Sequence, residues 1–271
     1  MISEIIAKKY KDLDEFSIKK RSEYATAKPF PHILLEDFFD NNYLEKILND
    51  FPDLTKKKDA YEFKTKTDQK LISSSQSFLS DKVINFINFL NSHRFLTFLQ
   101  KLTGVETYLI PDPYLAGGGL HETKNGGFLK VHSDFRFHPL VGLDRRINIL
   151  IFLNKNWKEE WGGHLELWNR DMSKCVTKIL PSFNRVVIFN TTDYSFHGHP
   201  DSLNCPNSES RKSIALYYYT NGRPDSEINR DNLHHRGLFH KRKNSDDDFN
   251  REKVEFKKIF GKFYIRKKTF F

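Results

Sequence analysis

The chain has 271 residues, of which 38% are hydrophobic and 29% charged, and its formal net charge is +9. This length and balance fit a globular protein with one large domain or two small ones. No apolar run is long enough to span a bilayer, and the only cysteines, Cys175 and Cys205, lie far apart, which argues against a membrane-spanning chain, a disulfide framework and a common structural zinc site.

The N-terminal part of the sequence predicts helices around one strand. The first stretch, MISEIIAKKYKDLDEF, lacks the apolar run of a signal peptide, so we expect a cytoplasmic protein. Apolar residues recur at helical spacing over residues 40–54 and, more strongly, over Ser80–Gly104, where Ser80 suits the start and Gly104 the end. PHILLEDFF predicts a strand and TKKKDAYEFKTKTDQK a polar loop. Residues 1–104 are therefore predicted to be a helical support with a leading strand.

From residue 105 to residue 220 the pattern changes to short strands separated by turns. The predicted strands are VETYLI, GGFLKVHSD, RINILIFLN, GHLELWN, CVTKIL, RVVIFN and KSIALYYYT. RINILIFLN and RVVIFN are apolar on both faces and need cover on both. We therefore predict a mainly β protein with helical support (α+β), a double-stranded β-helix or jelly roll with the N-terminal helices packed on the outer face of one sheet.

Residues 221–271 are predicted to be a basic C-terminal extension of one compact domain. Residues 223–271 hold 14 Lys or Arg and 8 Asp or Glu, so most of the excess positive charge lies there. Both signs alternate in KRKNSDDDFNREK and no nucleic-acid motif occurs. This favours a solvated extension over a surface for nucleic acid or membrane, although a nucleic-acid partner stays open.

Two histidine motifs and an arginine stand out in the strand region. His132 and Asp134 are two residues apart in VHSDFRFHP, His197 and His199 are two apart in FHGHP, and Arg211 opens RKSIALYYY. Alone, each motif is as well explained by a surface ion pair, a turn or a solvated charge. Together, two imidazoles and one carboxylate form the facial triad of non-haem Fe(II) oxygenases, and an arginine can hold a second carboxylate bidentately.

In this order the motifs resemble a known family, the Fe(II)/2-oxoglutarate-dependent dioxygenases, in their prolyl-4-hydroxylase-like branch. The resemblance covers roughly Gly104–Thr220 and rests on GGFLKVHSD, RRINILIFLNKNWKEEWGGHLELW, NRVVIFN, FHGHP and RKSIALYYYT. It implies Fe(II), 2-oxoglutarate and O2, with ascorbate as a candidate reductant. It also implies hydroxylation of an unactivated C–H bond, with a prolyl residue in a peptide or protein as the leading substrate and a small molecule as another.

The resemblance carries over to individual residues. It implies that His132, Asp134 and His197 bind the metal and that Arg211 anchors the 5-carboxylate of 2-oxoglutarate. The further residues it implies for that pocket are Leu150, Phe152 and Leu165, with Lys130 and His121 as weaker candidates. Some relatives have a tyrosine at the position of Phe152, and a phenyl ring cannot donate a hydrogen bond. Arg211 then acts alone, or Lys130, Tyr217 or Tyr219 substitutes.

Substrate contacts and rival functions are less determined by the sequence. We expect residues 135–138, Arg145, Arg146 and Trp161 at the mouth of the pocket. The alternative function is a non-catalytic, cupin-like jelly roll that binds a metal or a sugar. A third is a nucleic-acid-directed protein that uses the basic extension, whose binding would depend on salt.

Overall fold

The computed structural model describes residues 2–56, 60–75, 77, 79–228, 238–243, 245–247, 254–259 and 262–267. The helices are α1 Ile2–Ile5, α2 Leu13–Thr26, α3 Asn41–Asn49, α4 Asp81–Leu90 and α5 His93–Thr103. The pattern over Ser80–Gly104 is thus two helices, because Ser92 caps α5 by accepting from the backbone N–H of Phe95. Ser80 caps α4, and Gly104 ends α5 in the left-handed region at φ +73°, both as predicted.

The strands are short and numerous, as the sequence predicted. They are β1 His32–Glu36, β2 Tyr61–Lys64, β3 Asp68–Ser73, β4 Ile110–Pro111, β5 Gly119–Lys124, β6 Phe128–Ser133, β7 Asp144–Phe152, β8 Leu165–Trp168, β9 Cys175–Ile179, β10 Arg185–Asn190, β11 His197–His199, β12 Ser210–Thr220, β13 Leu238–Phe239, β14 Val254–Ile259 and β15 Lys262–Lys267.

The first thirteen strands form one antiparallel sheet that turns back on itself. Its order is β1-β10-β7-β12-β5-β3-β6-β11-β8-β9, while β2 pairs with β3, β4 with β12 and β13 with β6. Side chains from β7 and β12 and from β6, β8 and β11 line one cavity, so the two halves of the sheet face each other. This is the double-stranded β-helix that was predicted. β14 and β15 form a separate hairpin.

The helices cover one face of the sheet, which explains why its central strands are apolar on both sides. A buried cluster joins helix residues such as Phe86 and Phe98 to Ile149 of β7 and Ile188 of β10. Phe38 stacks on Phe98 with ring centroids 5.6 Å apart. The other face of β7 turns toward the cavity, so both faces of this strand are removed from water.

Several stretches differ from the sequence-based expectation, among them β5, which was not predicted. Residues 55–70, predicted as a loop, contain β2 and the start of β3, because pairing with β5 and β6 stabilises polar strands that lack an apolar alternation. Of the predicted strand VETYLI, only the last residue, Ile110, belongs to a strand, the two-residue β4. Helix α2 was not predicted, because few of its residues are buried and its sequence shows little amphipathic periodicity.

The described part of the C-terminal extension packs against the jelly roll. β13 pairs with the edge of β6 at His132 and Ser133, and Asp247 binds Lys130. The rest of the predicted extension, 229–237 in particular, lies largely outside the described residues. Among the described residues, none of the helices has both the length and the apolar content needed to cross a bilayer.

Candidate active site

Three potential metal ligands converge at the open end of the cavity. His132 lies on β6, Asp134 directly follows that strand, and His197 begins β11, whose register places it opposite His132. One ligand atom from each lies within 4.8 Å of the other two. Each imidazole Nε2 is 3.5 Å from an Asp134 carboxylate oxygen. The pairing of β6 with β11 thus brings together His132 and His197, which are 65 residues apart in sequence, and the turn after β6 adds Asp134.

The backbone fixes the orientation of both imidazoles. Nδ1 of His132 lies 2.9 Å from the carbonyl oxygen of Lys130, and Nδ1 of His197 lies 2.9 Å from that of Ser195. A carbonyl accepts only, so each Nδ1 carries the proton and each Nε2 presents its lone pair. Burial lowers the pKa of His197 to about 4, which favours the neutral ring that a metal requires.

The carboxylate of Asp134 is held from behind. Its Oδ2 accepts from Nδ2 of Asn148 at 2.7 Å and from Nη2 of Arg145 at 3.0 Å. Nε of Arg145 donates to Oδ1 of Asn148, and the guanidinium lies 3.3 Å from the Tyr217 ring centroid. Burial would raise the pKa of Asp134, but Arg145 and His197 outweigh burial and hold that pKa well below its ordinary value. Asp134 is therefore an ionised, oriented ligand.

A glycine lets the two histidine strands approach each other. A Cβ at Gly198 would come within 2.7 Å of the carbonyl oxygen of Leu129 and 2.9 Å of that of Lys130. The H-G-H sequence therefore has a steric reason: a larger residue between His197 and His199 would push β11 away from β6 and separate the imidazoles.

Arg211 lies at the deep end of the cavity, and a second glycine makes room for it. Its Nε donates to the carbonyl oxygen of Gly163 at 2.7 Å, and a Cβ at Gly163, where φ is +73°, would come within 3.1 Å of Cδ of Arg211. Burial lowers the pKa of Arg211 to about 9, so the guanidinium stays charged at neutral pH. Among the described residues, no carboxylate lies within ion-pair distance of Arg211. It is thus a buried cation prepared for an anion.

Not all predicted pocket residues line this cavity of about 210 Å³. Leu150, Leu165 and His121 do line it. Phe152 does not, because it is fully buried beneath Arg211, whose guanidinium lies 4.9 Å from its ring centroid. Lys130 does not either, because its ammonium is bound to Asp247.

The suggested substitutes for a tyrosine at 152 are also placed elsewhere. Tyr217 lines the cavity, but its hydroxyl donates to the carbonyl oxygen of Gly117 at 2.9 Å. Tyr219 lies outside the cavity lining and stacks edge-on against His138. Its buried hydroxyl has no hydrogen-bond partner among the described residues.

Sequence reasoning missed two residues of the deep polar wall, Lys70 and His199. Besides these two, the wall includes Arg211 and His121. Buried nitrogen atoms of both histidines, Nε2 of His121 and Nδ1 of His199, find no hydrogen-bond partner among the described residues. Burial, then Lys70 and Arg211, lower the pKa of His121 to about 3. The only available signal was the H-x-H spacing, which points His199 to the same side as His197.

The residues expected at the mouth separate into two groups. Phe135 and Arg145 line the cavity, Arg145 being almost fully buried. His138 instead pairs with Asp112 at 3.3 Å. Arg146 pairs with Glu227 and Trp161 packs edge-on against Trp157, both away from the cavity. The rim is completed by Phe239 of β13, whose ring centroid is 5.6 Å from that of His132.

Comparisons with known proteins agree with this geometry. Residues 118–219 match the family model of the 2OG-Fe(II) oxygenase superfamily. A curated relative, prolyl 3-hydroxylase OGFOD1 of Mus musculus, is 26% identical over 201 residues, which are 70% of this chain and 33% of that protein. The chain thus spans about a third of the length of this relative.

Solved structures share the fold at low identity. A Pseudomonas putida prolyl-4-hydroxylase is 12% identical with a TM-score of 0.56, covering 76% of this chain and all of that one. A Trichoplax adhaerens prolyl hydroxylase, solved with a hypoxia inducible factor peptide fragment, is 14% identical with a TM-score of 0.56 and covers 78% and 92%. With the family match and the converging ligands, the residues 118–219 of this chain belong to the 2OG-Fe(II) oxygenase superfamily, on a prolyl-4-hydroxylase-like fold.

Proposed function

We propose that this protein is an Fe(II)- and 2-oxoglutarate-dependent hydroxylase that acts on a residue in a peptide or protein, with proline as the leading candidate. The observation that carries the proposal is the convergence of His132, Asp134 and His197 in one cavity with a buried arginine that has no carboxylate partner among the described residues. A metal site with a purely structural role would not require a buried arginine, Arg211, without a carboxylate partner.

The residues present fit both groups that this chemistry needs. The two Nε2 lone pairs and the ionised carboxylate of Asp134 are a donor set suited to Fe(II). Asp134 is the only acidic residue among the described residues that line the cavity, and Arg145 already neutralises it. Arg211 and Lys70 therefore remain as positive charges, and the dicarboxylate 2-oxoglutarate supplies the missing negative ones.

The side chains of this chain have separable roles in that chemistry. When bound, Fe(II), 2-oxoglutarate and O2 supply the oxidising power that hydroxylates a C–H bond, with succinate and CO2 as co-products. His132, Asp134 and His197 hold the metal, and Arg211 binds the distal carboxylate of the cosubstrate. Leu150 and Leu165 are apolar walls, which keep water from the reacting centre.

The nature of the substrate is inferred from the relatives and the rim. The relatives include prolyl hydroxylases, one of which was solved with a peptide fragment. In this chain, two of the side chains that line the cavity, Phe135 and Phe239, are aromatic and only half-buried. Half-buried aromatic side chains in the lining of a cavity suit a peptide better than a small polar metabolite.

The test is succinate formation from 2-oxoglutarate with Fe(II) and O2, measured with and without a library of proline-containing peptides and metabolites. We expect succinate from wild type, stimulation by a peptide, and none from His132→Ala. Tight binding of other divalent metals with no dependence on 2-oxoglutarate would instead support the cupin-like alternative.

Two sequence-based predictions accompany this proposal. The cytoplasmic location is tested by fractionating cells that express the full chain. The expectation that the basic extension does not serve nucleic acid is tested by binding to duplex and single-stranded oligonucleotides over a salt series. Affinity that falls steeply with salt and is lost with the extension would contradict the second prediction.

A further inference from the structure

Lys70 comes from a part of the chain that precedes the matched family region, yet it lines the cavity. It lies on β3, within the stretch that the sequence presented as a polar loop. Its neighbour Leu71 belongs to the hydrophobic core on the other face of the sheet. Since alternate residues of a strand face opposite sides, the burial of Leu71 directs Lys70 inward.

The register of three neighbouring strands places Lys70 in line with Arg211. Leu71 of β3 pairs with Glu122 of β5, and Thr123 of β5 pairs with Arg211 of β12. Because the two strands β3 and β5 are antiparallel, Lys70, which precedes Leu71, lies opposite Thr123, which follows Glu122. Lys70, Thr123 and Arg211 thus form one cross-strand row, and all three line the cavity. Directly opposed side chains lie on the same face of a sheet about 5 Å apart.

Lys70 makes no direct ion pair with a described residue, and the carboxylates of Asp68 and Asp134 act on it only from a longer distance. Its ammonium lies 5.7 Å from the centroid of the Phe63 ring, and no carboxylate within ion-pair distance of it is found among the described residues. The nearby carboxylate of Asp68 is bound to the hydroxyl of Thr65. Two like charges, Lys70 and Arg211, therefore share one partly buried pocket, which costs free energy unless an anion lies between them.

We propose that Lys70 and Arg211 together bind the distal carboxylate of the dicarboxylate cosubstrate, so that Lys70 supplies the donor that Phe152 cannot. This assignment rests on the proposed function and extends its binding site beyond the matched family region. Arg211 offers a planar guanidinium whose orientation is fixed by its hydrogen bond to the carbonyl oxygen of Gly163. The ammonium of Lys70, at the end of a flexible side chain on β3, donates to the same carboxylate. Residue 152 then does not need to donate a hydrogen bond, and the ring of Phe152 packs beneath the guanidinium of Arg211.

The experiment measures equilibrium binding rather than turnover. The full chain is loaded with Ni(II) without oxygen and titrated with 2-oxoglutarate and with 2-oxopentanoate, which has a methyl group in place of the distal carboxylate. The variants are Lys70→Met, Lys70→Arg and Arg211→Ala. Lys66→Met is the matched control, because Lys66 is an exposed lysine just before β3.

We expect Lys70→Met to weaken 2-oxoglutarate about tenfold or more, since a charge-assisted hydrogen bond is lost, and to leave 2-oxopentanoate nearly unchanged. Lys70→Arg should restore part of the affinity and Lys66→Met should behave as wild type. Combining Lys70→Met with Arg211→Ala should cost less than the sum of the single losses, because both groups bind one carboxylate.

Thermal unfolding without ligand separates binding from structure. Removing one of two like charges should leave the melting temperature of Lys70→Met unchanged or raise it, whereas a structural lysine would lower it. If Lys70→Met does not fold, Lys70→Gln takes its place in the titrations.

Two results would overturn the assignment alone: an unchanged 2-oxoglutarate affinity in Lys70→Met, or equal weakening of both keto acids. Failure of the metal-loaded wild type to bind 2-oxoglutarate would overturn the proposed function itself, and this assignment with it.

Discussion

At the scale of single residues, the two histidines of the H-G-H sequence have different tasks. His197 presents Nε2 to Asp134, whereas His199 lines the deep end of the cavity beside Arg211 with its Nδ1 buried. His197→Ala should therefore abolish tight metal binding, and His199→Ala should retain the metal but weaken 2-oxoglutarate. Anaerobic Fe(II) titration of both variants checks this, with circular dichroism as the control for folding. Equal losses of metal affinity would contradict the assignment of His197 over His199.

The residues behind Asp134 should act on the metal without touching it. Asn148 and Arg145 orient the carboxylate, and outer partners of this kind are worth about 10- to 100-fold in metal affinity. Asn148→Leu, which keeps the size but removes the donor, should lower Fe(II) affinity within that range. Asn42→Leu, on the exposed first turn of α3, is the control. Metal affinity at wild-type level in Asn148→Leu would show that Arg145 alone orients Asp134.

At the scale of elements, β13 is a wall of the site supplied by the C-terminal extension. Phe239 contacts His132, and the backbone N–H of His240 donates to the carbonyl oxygen of Val131 at 2.8 Å. Phe239→Ala should open the cavity to water, so more 2-oxoglutarate should be consumed per hydroxylated product. The measurement is the ratio of succinate to product, with Tyr108→Ala, at an 86% exposed position outside the cavity lining, as the control. An unchanged ratio in Phe239→Ala would mean that β13 does not seal the site.

The anchor of that element is the buried carboxylate of Asp247. It accepts from Lys130 at 2.9 Å and from Arg242 at 2.8 and 3.1 Å. Burial would raise its pKa, but Arg242 and Lys130 outweigh burial and lower that pKa. A carboxyl group with a lowered pKa in the folded state stabilises above its unfolded pKa, about 3.9, and loses this effect as the pH falls.

Asp247→Ala should therefore release the segment at neutral pH, and strong acid should release it in wild type. Amide hydrogen exchange at His240 reports both changes, and Asp246→Ala, which alters the exposed neighbour, is the control. Continued protection of the His240 amide in Asp247→Ala would show that the strand pairing of β13 holds the segment without this anchor.

At the scale of the whole molecule, helices and sheet share one core. The same buried cluster includes Phe98 of α5 and Ile149 of β7, so we expect one cooperative unfolding transition. Phe98→Ala should cost about 3–5 kcal/mol, as large-to-small changes at fully buried aromatic positions do. Tyr108→Ala, at an 86% exposed position, should cost little.

Urea unfolding followed by far-ultraviolet circular dichroism and by tryptophan fluorescence measures this cost. Two separated transitions would mean that the helical support is a domain of its own, because the tryptophans at 157, 161 and 168 all lie in the strand region.

The sequence by itself determined the parts of this protein that depend on local order. Apolar strand patterns and two helical patterns with their caps predicted the jelly roll. The ordered motifs H-x-D and H-G-H, followed by an arginine, predicted its site. These signals are local because strand alternation, helix capping and ligand spacing are properties of neighbouring residues.

Only the tertiary structure decided which side chains complete the site. Lys70 entered it because a polar strand pairs with β5, Phe239 because a C-terminal strand pairs with β6, and Phe152 left the cavity lining because Arg211 lies over it. Each of these depends on pairing or packing between residues far apart in sequence, and no single-chain pattern encodes such a pairing.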